Sequence, residues 1–141
     1  MPLNVNTDAG KRPRPQIVAP ATVVKQARDI GSPNAEKALA VTQPILTIDQ
    51  NGLQYEQRKQ KGGVEFRFNT GVLRLTLRQN IYIANNLSAC AQGIWGEHEQ
   101  DHVLDNQGIM AKMERKIRAH RDLQTIFFNP QWRPKSSFNA I

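Results

Sequence analysis

The strongest constraint on this chain is a single change of hydrophobic period between Val64 and His102. Val64, Phe66 and Phe68 alternate with Glu65 and Arg67, and Leu73, Leu75 and Leu77 alternate with Arg74, Thr76 and Arg78. Alternation by two places apolar side chains on one face of a strand. Asn69-Thr70-Gly71 reads as the turn between these strands, and Ile81-Tyr82-Ile83 as a further strand or a bulged continuation. From Leu87 the period becomes helical. Asn85-Asn86 can cap the element, and Leu87, Ala91, Ile94, His98 and His102 fall along one stripe. Asp105-Asn106 and Gly108 then predict an interruption. A second helix is expected from about Ile109 to Leu123, with Met110, Met113, Ile117 and His120 on one face, ended at the latest by Asn129-Pro130.

Upstream, Ile45 and Thr47-Ile48 predict a strand, Asn51-Gly52 a hairpin turn, Leu53 to Arg58 the returning strand, and Gly62-Gly63 a break. The fold class is therefore α+β. A small antiparallel sheet with one apolar face should pack against the helix carrying His98 and a second, C-terminal helix. Residues 1–44 are expected to form an N-terminal extended arm with short helices, and residues 45–141 the folded domain. Four of the eight prolines and three basic residues fall in the first 20 positions, a composition that suits an arm. Ala21 to Ile30 can form a helix stopped by Gly31, and Ser32-Pro33 can open another through Ala40, with Pro44 barring its extension. The tail from Trp132, with Phe138, reads as loop.

The chain has 141 residues, a formal net charge of +7 and one cysteine. Cys90 alone excludes an intrachain disulfide and a multi-thiolate metal site. Residues 1–80 hold twelve Lys/Arg against six Asp/Glu, whereas none of either base lies between Arg78 and Lys112, where Glu97, Glu99, Asp101 and Asp105 gather. The basic half could contact an anionic polymer. No apolar run is long enough to span a membrane. The first residues show neither a basic n-region nor an apolar h-region, which suits the cytoplasm or export without a Sec-type signal.

The chemistry is concentrated in His98-Glu99-Gln100-Asp101-His102. Histidines four apart on a helix share a face, one turn apart, and can hold one ion by two nitrogens. Glu99, about 100° further round, can reach a water in an open coordination position, whose pKa the ion brings to roughly 7. A third ligand is needed. His120 on an inward face is the first candidate, Glu114 the second, and Asp105 or water the remainder. Asp101, Asp105 and Asp122 could orient an imidazole N–H, and Tyr82 or Tyr55 could donate to an oxyanion.

The run His98 to His102 resembles the active-site helix of the zincin zinc metallopeptidases, and Leu73 to His102 is similar to their strand-into-helix layout. Trp95, shortly before the motif, resembles a small bacterial zinc-protease group. The resemblance covers roughly residues 64–125. It implies Zn²⁺ held by His98, His102 and a third ligand, His120 or its alternative Glu114, with Glu99 as general base in peptide-bond hydrolysis of protein or peptidoglycan peptides. It also implies that an edge strand within Val72 to Ile83 pairs with the substrate. The chain departs from the subgroups: Val103 to Gly108 is not the metzincin extension, and Arg118 stands four after Glu114 where gluzincins carry aspartate. Two other readings remain open: a basic nucleic-acid- or polymer-binding module, and a degenerate zincin whose zinc is only structural.

Overall fold

A computed structural model of the chain describes residues 3–128 and 131–134, leaving aside the side chains of Thr70 and Phe128. The architecture is α+β with a mixed sheet. In chain order the elements are β1 (Leu3–Asp8), β2 (Gln16–Val18), α1 (Pro20–Asp29), a 3₁₀ turn (Ala35–Lys37), β3 (Ala40–Gln60), β4 (Gly63–Ala84), α2 (Ala89–Ala119), α3 (Arg121–Phe128) and β5 (Arg133–Pro134). β4 is the organising strand. It pairs with β3 across the two-residue turn Lys61-Gly62, a connection that only antiparallel strands allow. β1 and β2 run parallel to it, in register Leu3↔Gly71 and Gln16↔Tyr82, and β5 runs antiparallel. The expected purely antiparallel sheet is therefore corrected to a mixed one, because the N-terminal strands, read from sequence as arm, are extended but bound into it.

The described residues gather into two compact units, and both draw on residues from either side of position 45. One comprises Ala9–Leu46 and Leu77–Met110. Within it the strands alternate between two apolar clusters. Val41 and Ala84 pack with Val23 and Ala27 of α1. Ile81 and Ile83 pack with Val103 of α2, with Ala40 and Leu87 alongside. Both sheet faces are thus covered here, not one. Stretch 9–15 is tied to α2, since Gln107 Nε2 donates to the Ala9 carbonyl (3.4 Å) and Gln100 Nε2 to the Pro13 carbonyl (3.0 Å).

The second unit comprises the described residues of 1–8, 47–76 and 111–141. Leu3, Val5, Leu75, Ile126 and Phe127 are buried. β1 is stitched in by side chains: Gln124 Oε1 accepts the Leu3 N–H (3.2 Å), the Arg118 guanidinium donates to the Val5 carbonyl, and Thr7 Oγ1 donates to Glu114 (2.8 Å). Arg58 and Arg67 both lie over the Trp132 ring.

Several expected breaks are absent for identifiable reasons. Asn51-Gly52 and Asn69-Thr70-Gly71 are not turns; the strands continue through them as β3 and β4, of 21 and 22 residues. The glycines serve close approach instead. A Cβ on Gly52 would sit 2.6 Å from the Val72 carbonyl oxygen, and one on Gly71 would sit 2.5 Å from the Phe127 ring. The helix expected from Ser32 to Ala40 is a single 3₁₀ turn, because Asn34 is left-handed (φ 57°) and β3 already begins at Ala40. α1 ends as expected at a left-handed Gly31 (φ 71°). The expected interruption at Asp105 to Gly108 is also absent, and α2 runs through it. Asn106 Nδ2 donates to Gln79 Oε1 (2.8 Å) and Gln79 Nε2 to the Val103 carbonyl (3.1 Å), clamping the helix to β4. One glycine, worth about 1 kcal/mol in a helix, does not outweigh this. Asn129-Pro130 and Phe138 lie outside the described residues. Among the described residues, no helix is long and apolar enough to cross a membrane.

Candidate metal centre

β4 hands the chain to α2 through Asn85 to Ser88. The cap is Ser88, whose Oγ accepts the Ala91 N–H (3.2 Å), rather than the expected asparagines. This start fixes which residues of α2 face inward, and the inward stripe is Gly96, Glu99, Val103 and Met110. The stripe predicted through Ile94, His98 and His102 instead faces outward, with Ile94 64 % exposed. Gly96 lets α2 lie close to the sheet: a Cβ there would be 3.6 Å from Ile83.

The consequence is an inversion of what the hydropathy suggested. His98 and His102 are exposed, and Glu99 is buried at 4 %. Their ligating atoms still converge, since one from each of His98, Glu99 and His102 lies within 4.8 Å of the others. The two Nε2 atoms are 3.2 Å apart, with the rings edge to face. Two nitrogens on one tetrahedral zinc at Zn–N distances near 2.05 Å would stand roughly 3.3 Å apart, so the imidazole pair fits a single ion with little movement. Without an ion, the same approach is a hydrogen bond in which one ring donates and the other accepts. Trp95 stands edge-on against His98, with centroids 5.4 Å apart.

Glu99 is held by a residue from the other side of the pocket. Thr42 of β3, itself 7 % exposed, donates its hydroxyl to Glu99 Oε2. No Lys or Arg pairs with Glu99 among the described residues. Glu99, Thr42 and His102 line an open pocket of about 310 Å³. Its wall is completed by Ile30, Ser32, Ala40, Val41, Pro44 and Asn106. Thr42 and this wall, apart from Asn106 of α2, belong to the segment read from sequence as arm and short helices. The available signal was the β-prone pair Val41-Thr42, which Pro44 obscured. Proline is tolerated in a strand that, like β3, pairs on one side only among the described residues.

The other site candidates are not brought to this group. His120 follows the last residue of α2, and its Nδ1 accepts the Leu123 N–H (3.2 Å), capping α3. Glu114 accepts from Thr7 and is paired with Arg118 (2.9 Å). These bonds, the Thr7 hydroxyl first, hold its carboxyl below the usual glutamate value. Asp101, Asp105 and Asp122 are exposed. The Tyr82 hydroxyl points to Gln43 Oε1 (3.5 Å), and Tyr55 packs on Phe66 and Phe68. Much of Val72 to Ile83 is not a sheet edge: Val72 to Thr76 pair with β1 and Tyr82 and Ile83 with β2, while β4 also pairs with β3. Compared with protein-family models, with curated proteins and with solved structures, the chain matches none.

Proposed function

We propose that this chain is a zinc-dependent hydrolase of zincin type that cleaves peptide bonds, with His98 and His102 as metal ligands and Glu99 as general base. The observation that carries the reading is the convergence of two exposed imidazoles, one turn apart on a helix, and the buried, pocket-facing carboxylate of the residue between them, Glu99. The donor set suits zinc: two neutral imidazole nitrogens at a tetrahedral spacing, with a carboxylate beside them. The layout of a strand leading directly into the motif helix supports the zincin assignment in the same way.

Bound zinc would supply an acidified water and a positive charge opposite the developing oxyanion. The rest of the work falls to the chain. Oε2 of Glu99 is engaged by Thr42, and Oε1, with no partner among the described residues, is free to take the proton of the attacking water. The same oxygen then passes that proton to the leaving amine nitrogen. Ile30, Ala40, Val41 and Pro44, the apolar part of a mixed wall, would take the substrate side chain beside the scissile bond. Protein or the peptide stems of peptidoglycan would supply the bond. Lys11, Arg12 and Arg14, all exposed, would favour a substrate embedded in an anionic polymer.

The test begins with metal analysis. Purified protein should carry roughly one zinc per chain, lost in both His98→Ala and His102→Ala. His120→Ala should retain it, because that ring caps α3. Hydrolysis of casein or of peptidoglycan, abolished in Glu99→Gln with zinc content unchanged, then separates a hydrolase from a protein stapled by zinc. Protein that takes up no zinc at micromolar concentrations ends the proposal. Zinc uptake with tight, salt-sensitive binding to DNA and no hydrolysis would favour the binding-module reading instead.

A further inference from the structure

Two histidines make a poor grip on zinc, which in hydrolases usually has three protein ligands. A carboxylate as near as that of Glu99 should be drawn onto the ion and become the missing ligand. A carboxylate so bound loses its value as a base. We infer that Thr42 is a positioning residue that prevents this, holding Glu99 by Oε2 so that the carboxylate stays beside the ion instead of on it. The inference rests on the metal-site reading above and adds the residue that decides which of two roles Glu99 plays.

The geometry supports it at three points. The Thr42 hydroxyl has two acceptors in reach, Glu99 Oε2 and the Glu99 carbonyl oxygen at 3.2 Å. It has one proton to give. The carbonyl already faces the helical N–H four residues on, so the carboxylate is the acceptor in need. Both partners are buried, Thr42 at 7 % and Glu99 at 4 %, which strengthens the bond by excluding water. Thr42 is itself fixed: its neighbour Val41 is packed against Val23, Ala27 and Ala84. The hydroxyl therefore cannot follow the carboxylate toward the imidazoles. Bringing Oε2 onto the ion means breaking this bond, and drawing Oε1 onto it pulls Oε2 away from a hydroxyl that does not follow.

The supply of alternative ligands is closed as well. The residues outside the description contain no His, Cys, Asp or Glu. Among the described ones Glu99 alone joins the histidine pair. If the carboxylate is released, nothing else competes with it for the third position.

The experiment uses Zn²⁺ and Co²⁺ alone, so no substrate is needed. Zinc affinity is measured by competition with a chromophoric chelator for wild type, Thr42→Val, Thr42→Ser, Glu99→Gln and Thr42→Val/Glu99→Gln. Wild type and Glu99→Gln should agree within about threefold, because Glu99 is not a ligand. Thr42→Val should bind about tenfold or more tightly, because the released carboxylate becomes the third ligand. Its Co²⁺ visible spectrum should change as the carboxylate enters the coordination sphere. Thr42→Ser should restore wild-type affinity and spectrum, and the double variant should lose the gain. A merely structural threonine would move none of these in that pattern.

Failure has separate signatures. Glu99→Gln binding at least tenfold more weakly than wild type means that the carboxylate is already a ligand, which overturns the inference even if Thr42→Val does not fold. Thr42→Val with wild-type affinity and spectrum overturns it directly. Wild type that binds neither ion overturns the metal-site reading beneath it, a result visible before any variant is made.

Discussion

α2 carries two glutamates that meet a threonine from a strand, and the two are treated differently. Glu114 accepts from Thr7 of β1, and Arg118, one turn on, closes an ion pair over it. Glu99 accepts from Thr42 of β3, is buried, and has no cation beside it among the described residues, only the edges of two imidazoles. The first carboxylate is neutralised within its own helix and has no further need. The second has a hydrogen bond for one oxygen and, among the described residues, none for the other, in the wall of an open pocket. A buried carboxylate without a counter-charge is costly unless something answers it. Here the groups within reach are the ones that would hold a divalent cation. The contrast separates a glutamate that ties a strand down from one that can act.

The largest break in that contrast comes from removing the charge at each position. Glu99→Gln should lower the kcat of peptide hydrolysis by about 10²- to 10⁴-fold, the usual contribution of a general base. Glu114→Gln should leave it within twofold. Equal losses in the two variants would erase the distinction. Next comes the supporting hydroxyl. Thr42→Val removes a buried bond to a charged group and should cost the metal-free protein about 1.5–3 kcal/mol in denaturant unfolding. Thr7→Val removes an exposed one and should cost under about 1 kcal/mol. A larger loss at Thr7 than at Thr42 would mean that the two threonines have been weighed in the wrong order.

The same contrast explains what was legible in the sequence. The spacing of His98 and His102 and the position of Glu99 needed only the helical repeat, and one ligating atom from each lies within 4.8 Å of the others. The orientation of α2 was not legible, because its inward stripe of Gly96, Glu99, Val103 and Met110 is less apolar than its outward one with Ile94, Leu104 and Ile109. Burial there follows the clamps from Gln79 and Thr42, long-range contacts that a hydropathy window does not contain. His120 looked like an inward ligand for the same reason, whereas its ring is spent as a helix cap. The glycines misled differently: Asn51-Gly52 and Asn69 to Gly71 carry turn chemistry, but the space of a missing Cβ is what the strands use. Gly71→Ala tests this directly. The new methyl would meet the Phe127 ring and Leu3, and overpacking at a filled site should cost about 1–3 kcal/mol. A hairpin turn at this position would have absorbed the change with no steric loss.

The smallest effect belongs to Glu114, and its sign can be worked out. The Thr7 hydroxyl, followed by Arg118, stabilises the ionised carboxyl in the folded chain and lowers its pKa from the ordinary 4.5. In the unfolded chain those partners are gone. The stabilisation is therefore complete above the unfolded value and is lost as the pH falls through the lower, folded one. Because the group is at the surface, salt should weaken it further. Urea unfolding of wild type and Glu114→Gln should show a gap in midpoint at pH 7 that persists down to about pH 4.5 and closes below it. Adding about 0.5 M salt at pH 7 should narrow the same gap. A gap that stays constant through the acid range would show that Glu114 holds β1 by shape rather than by charge, and the contrast with Glu99 would then rest on burial alone.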